Sequence, residues 1–285
     1  MKYILMKRFF LSLLAVSILL SLGSCKKRKL NRDTTTAIDV SIIEGGFNDM
    51  QKISEDILKE QNLEGKANGV RDIYGTPTVE VTPAFPDTTF PKTITIDFGS
   101  GTTDLCGRER KGLLTIIATG MYKDSLAEFT ITPSSYFVDN YKVEGEKIIT
   151  NNGRNADGNI NYTIDINNGK VTAPNNEFAT WESLRNREWI AGESTNWITD
   201  GVSGITDDTY SITGEADGIN RMGRTFEAEI TSPLIVSLAC KWITRGTFTL
   251  TPEDLNTRTV DYGFGTCDNE ATVEIDGRTY DVLMW

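Results

Sequence analysis

The chain has 285 residues, 39% hydrophobic and 24% charged, with a formal net charge of −11. Its one basic cluster, Lys26 to Lys29, sits near the amino terminus, so nucleic acid is excluded as a partner of an otherwise acidic body. Histidine is absent, which removes Ser-His-Asp and Cys-His nucleophiles, His-ligated zinc and imidazole base catalysis together.

In chain order, Lys2, Lys7 and Arg8 precede an apolar run from Phe9 to Leu22 that is short for roughly 30 Å of hydrocarbon. Residues 1–24 therefore read as a signal peptide. The run ends in Leu22, Gly23, Ser24 and Cys25, which resembles the lipobox of bacterial lipoproteins. The resemblance implies cleavage before Cys25 and acylation of its thiol, and two or more chains anchor stably where one is marginal. Lys26 to Lys29 then lie beside the headgroups, either attracted to an anionic leaflet or simply solvated. No acidic residue follows Cys25 directly, so the periplasmic face of the outer membrane is expected rather than the cell surface.

Residues 25–91 read as a tether with a short helix and a proline-rich linker. Phe47, Met50, Ile53 and Ile57 recur at spacings of three and four with Lys, Glu and Asp on the other faces, which predicts a helix over residues 48–62, broken upstream by Gly45 and Gly46, whose apolar stripe docks on the β domain or on a partner. Pro77, Pro83, Pro86 and Pro91 forbid helix and interrupt strand pairing, leaving an extended linker.

From Lys92 to the end, runs such as "TITIDF", "NYTIDI", "TFEAEI" and "ATVEI" alternate apolar and polar residues, the signature of strands with one wet face. Glu144-Gly145, Asn152-Gly153, Asp157-Gly158, Asn168-Gly169, Asp217-Gly218 and Asp276-Gly277 are read as the hairpin turns between them. The prediction is an all-β domain over residues 92–285: an antiparallel meander of about a dozen strands, folded as a sandwich or curled into a barrel.

Within this domain Trp181, Arg185, Arg187 and Trp189 share one face by alternation. They form either an aromatic and guanidinium platform for a sugar or peptide, or core tryptophans fringed by ion pairs. With Cys25 taken by lipid, Cys106, Cys240 and Cys267 remain, enough for one disulfide. A hairpin turn over residues 251–256 that sets Leu250 opposite Thr257 carries on to set Cys240 against Cys267. The echo between "ITIDFGSGTTDLCG" and "RTVDYGFGTCDNE" offers Cys106 with Cys267 instead. "DFG" at Asp97 lacks every companion of the kinase motif, and no catalytic residue, metal ligand or cofactor site is predicted.

The segments "DFGSGTT", "KVEGEKIITNNGRNADGNINYTI", "TWESLRNREWI", "ACKWITRGTFTLTP" and "DYGFGTCDNEATVEIDGRTY" resemble an uncharacterised family of Bacteroidota lipoproteins over most of residues 92–280. That resemblance implies the anchor and the β-rich body and supplies no activity. The expectation is a non-catalytic, exported envelope lipoprotein that binds or scaffolds another envelope protein or a glycan. The alternative is a glycan-binding protein, or a glycan-active one using a carboxylate pair.

Overall fold

The computed structural model describes residues 32–61 and 73–284. The leader, Cys25 and Lys26 to Lys29 lie outside the described residues. From Asp33 onward the chain forms one compact unit.

That unit opens with helix α1, Thr35–Gln61. Ala37, Val40, Ile43, Phe47, Met50, Ile53 and Ile57 are all essentially inaccessible, the three-and-four repeat of an apolar helical face. The helix is 27 residues long and runs unbroken through Gly45 and Gly46, where the sequence predicted a break and a shorter helix. A side chain at Gly46 would begin 3.1 Å from the Val143 side chain. Glycine there lets helix and sheet approach, and the packing outweighs a propensity cost of about 1 kcal/mol. The helix does not dock by one stripe either, because Asp39, Asp49, Gln51, Ser54, Glu55 and Asp56 on its other faces are buried too.

What surrounds it is one antiparallel meander, with strands β1 (Thr78–Thr82), β2 (Lys92–Asp97), β3 (Thr102–Thr103), β4 (Glu109–Ala118), β5 (Glu128–Val138), β6 (Tyr141–Arg154) and β7 (Ile160–Thr172). It continues through β8 (Phe178–Ala191), β9 (Thr209–Ile219), β10 (Thr225–Ser237), β11 (Arg245–Pro252), β12 (Arg258–Phe264), β13 (Glu270–Ile275) and β14 (Arg278–Leu283). Two four-residue helices, α2 (Trp197–Asp200) and α3 (Ser203–Thr206), sit between β8 and β9. Neighbours in sequence are neighbours in the sheet, with β3 paired to β4 off the main path and β1 and β14 at the two edges. The all-β meander is thus a single open sheet and not a two-sheet sandwich. Because α1 packs on β5, β6, β7, β8 and β11, the sheet curls about the helix.

The curl explains where the expected turns went. Asp157-Gly158 and Asp276-Gly277 lie at hairpin turns, but Gly145 and Gly153 fall inside β6 and Asn168-Gly169 inside β7, at register shifts. Positive φ serves a β-bulge as well as a turn, and bulges bend a strand. Gly112 (φ 91°) marks the shift between β4 and β5, and a side chain there would start 2.0 Å from the Ser135 carbonyl oxygen. Pairs read as strand boundaries are bends within strands of up to 14 residues. β1 pairs residue for residue with β2, so part of the expected linker is the sheet's first edge, and no domain boundary falls at residue 91.

Candidate functional site

The inward face of β8 carries Trp181, Ser183, Arg185, Arg187 and Trp189 in alternation. The shared face expected from sequence is therefore present, but it is the concave one, under α1. Trp181 and Trp189 are 1% and 2% exposed, so they serve as core and offer no ligand platform. Trp181 packs on Phe226, with ring centroids 6.1 Å apart. Trp189 stacks on Tyr210 at 5.6 Å and donates its Nε1–H to Asp208 at 3.0 Å.

The arginines meet acids of the helix. Arg185 pairs with Glu44 at 2.9 Å, and Arg187 pairs with Glu55 while its guanidinium lies 3.3 Å over the Tyr210 ring. Farther round the sheet, Asp49 accepts from Arg110 at 2.6 and 2.9 Å, from Arg108 at 2.9 Å and from the Tyr136 hydroxyl at 2.9 Å. Burial opposes ionisation of Asp49, but the two guanidiniums overcome it and hold its carboxyl well below the usual carboxylate range. Lys147 is buried with its Nζ donating to the Phe47 carbonyl at 3.2 Å. Burial first, then Arg187, push its ammonium down to about 7 against the pull of Glu55 and Glu44.

Sequence reasoning missed this arrangement by treating only the apolar stripe of the helix as its docking face. Four of its carboxylates, Asp39, Glu44, Asp49 and Glu55, make ion pairs with arginines outside the helix. The available signal was the spacing of Arg185 and Arg187 on the tryptophan-bearing face, which calls for buried acids once that face is core.

The outward face is different in kind. Glu182 of β8, Asp217 of β9 and Glu227 of β10 are cross-strand partners, and one row on stand Leu184, Glu215 and Glu229. The register of β9 on β10 breaks between Glu229 and Leu234. At this break Gly214 (φ 121°) closes onto β8, where a side chain would start 2.3 Å from the Leu184 carbonyl oxygen. Beside it an open groove of about 420 Å³ is lined by Thr163, Leu184, Asn186, Glu215, Glu229 and Ile230 among others. Two opposed carboxylates, an amide, a hydroxyl and two aliphatic surfaces suit a hydroxyl-rich ligand.

Cys240 and Cys267 are joined, with Cα atoms 5.7 Å apart, and Cys106 is an exposed free thiol. The register that suggested this pair is offset by one residue: Leu250 faces Arg258, and both cysteines lie in loops beyond β11 and β12. The bond therefore ties the β10–β11 loop to the β12–β13 loop. Among the described residues no group of three or more Cys, Asp or Glu is placed to hold a metal ion. No known protein family, curated protein or solved structure matches the chain.

Proposed function

We propose that the protein is an exported lipoprotein, anchored through acylated Cys25 to the periplasmic face of the outer membrane, that binds or scaffolds another envelope component without catalysing a reaction. One observation supports the binding role above others. The concave side of the curled sheet, where a ligand would be enclosed, is filled by α1 and closed by buried ion pairs. What remains for recognition is the outward face, broad and polar, with the groove at Glu215 and Glu229. Such a surface suits a partner held by many hydrogen bonds rather than a substrate drawn out of water.

The anchor is tested by mass spectrometry of the amino-terminal peptide and by fractionation. The wild-type peptide is expected to carry acyl chains on Cys25, and Cys25→Ser to release the protein into the soluble fraction. A Cys25→Ser protein that stays in the membrane sinks the anchor.

A second reading, glycan binding, is favoured by the opposed Glu215 and Glu229 with Asn186 beside them. Calorimetric titration with envelope polysaccharide fragments is the measurement. Binding that Glu229→Ala reduces at least tenfold, with the fold intact, supports the glycan reading, and binding unaffected by Glu215→Ala and Glu229→Ala excludes the groove.

A further inference from the structure

If Cys25 is the lipid anchor, residues 26–32 are all that separate it from Asp33, where the chain enters the β-rich unit. Extended chain covers at most about 3.3–3.6 Å per residue, so Asp33 stays within roughly 30 Å of the bilayer. The surroundings of Asp33 therefore define which end of the unit meets lipid. Its carboxylate accepts from Arg224 at 3.2 Å and its carbonyl from Arg258 at 3.2 Å. Asn220 donates to Thr36 at 2.8 Å, and Arg221 pairs with Asp39. The β9–β10 turn, residues 220–224, is thus pinned against the start of α1.

At that turn three large apolar side chains face water: Met222 is 65% exposed, Phe178 47% and Ile219 41%. Ile219 is the cross-strand partner of Thr180, and Phe178 lies two residues before Thr180 on the same outward face. Lys170 places its ammonium 4.4 Å over the Phe178 ring. The cations of the turn are already engaged, Arg221 with Asp39 and Arg224 with Asp33. The corner offers these apolar side chains beside partly exposed Glu177 and Arg224, and solvent-exposed apolar side chains gain from burial in the acyl and headgroup boundary.

We propose that Phe178, Ile219 and Met222 seat in the interface of the same bilayer that holds Cys25, fixing the unit in one orientation instead of leaving it to swing on its tether. The proposal rests on the lipoprotein reading and adds a second, non-covalent membrane contact to it. It also predicts which residues stay in water: Arg258 starts β12 beside Asp33, and Phe264, 97% exposed, ends that strand about 20 Å away. Phe264 offers the membrane at least as much apolar surface as Met222, so location and not hydrophobicity decides between them.

The test uses the full chain expressed with its leader, purified from membranes and placed in phosphatidylethanolamine and phosphatidylglycerol vesicles. An environment-sensitive fluorescent amino acid is incorporated at position 222 or at position 264. Emission at 222 is expected to shift to the blue and to be quenched by brominated acyl chains, with 264 unquenched and the result little changed by raising salt. Quenching at 264 alone, at both positions or at neither overturns the proposed orientation. The combined variant Phe178→Ser, Ile219→Ser, Met222→Ser, its fold checked by circular dichroism, is expected to transfer between vesicles on the order of tenfold faster; an unchanged rate also overturns the proposal. Mass spectrometry of the same sample reads Cys25 separately. Acylated Cys25 with an unshifted and unquenched position 222 refutes the docking and spares the anchor, whereas unmodified Cys25 refutes both.

Discussion

Asp49 shows how far a single carboxylate is committed in this protein. It lies on the helix, yet its partners Arg110 and Tyr136 are on the sheet and Arg108 immediately precedes β4, and Arg110 is only 3% exposed. Asp49→Ala leaves that guanidinium buried with Asp104 as its remaining acid and the Tyr74 ring beneath it, and we expect a loss of about 3–5 kcal/mol in urea unfolding. Because the native carboxyl is held below its unfolded value, its contribution is complete above the ordinary carboxylate pKa of about 4 and disappears as pH falls below it. The deficit of Asp49→Ala relative to wild type should accordingly be full at pH 7 and smaller at pH 3. Lys147 carries the opposite sign. Its folded pKa of about 7 lies below the unfolded one of about 10.4, so the unfolded chain binds the extra proton between those values and stability rises with pH across that window. Lys147→Met should therefore be more stable than wild type at pH 6.5, by an amount on the order of a few kcal/mol, with the gap shrinking at pH 9.5. A gap that does not change with pH would show that Lys147 is not held neutral. Neither behaviour was legible in the sequence, since an acid in an amphipathic repeat looks the same whether it faces water or an arginine on a strand 60 residues away.

At the level of elements, alternation was the dependable signal. The odd residues of β8 from Trp181 to Trp189 all point inward, as a period of two requires. Glycine was the misleading one, because the same residue serves a turn, a bulge or a close helix contact. Gly112 and Gly46 separate two of these uses. At Gly112 a methyl group meets the Ser135 carbonyl at 2.0 Å with φ at 91°. Gly112→Ala should thus cost more than about 2 kcal/mol and disturb the β4–β5 pairing, visible as loss of amide protection in hydrogen exchange. At Gly46 the backbone is helical, and the new methyl group starts 3.1 Å from Val143 Cγ2 and 3.7 Å from Val171 Cγ2, side-chain atoms and not backbone. Here Gly46→Ala should be close to neutral, the helix gaining about 1 kcal/mol against a modest shift of Val143. Gly46→Leu should instead lose about 1–3 kcal/mol by overpacking. Equal effects of the two alanine substitutions would contradict the distinction between bulge and packing glycine.

For the whole molecule, the antiparallel meander could be read from the strands and their hairpins, but the relation between helix and sheet could not. Local periodicity says that α1 has an apolar face; only the curl of a sheet with many strands decides that its polar faces are enclosed as well. The curl comes from bulges whose positions the sequence shows as glycines without saying what they do. Once the sheet curls round α1, each depends on the other. The helix needs arginines to neutralise Asp39, Glu44, Asp49 and Glu55, and without it Arg185 and Arg187 would lose Glu44 and Glu55 while Arg110 would keep only Asp104. A chain with residues 33–61 deleted should consequently fail to fold, shown by absent near-ultraviolet circular dichroism and rapid proteolysis, although every strand is still present. Volume and charge are separable by a second chain in which Asp39, Glu44, Asp49 and Glu55 are changed together to their amides, which keeps the shape of α1 and removes these four paired charges. If enclosed ion pairs hold the helix, this chain also loses cooperative unfolding, because the buried guanidiniums keep their desolvation cost and lose its compensation. If it unfolds at the wild-type urea midpoint, apolar packing by Val40, Ile43, Phe47 and Met50 suffices, and the acidic residues of α1 would then serve to choose its register inside the sheet rather than to stabilise it.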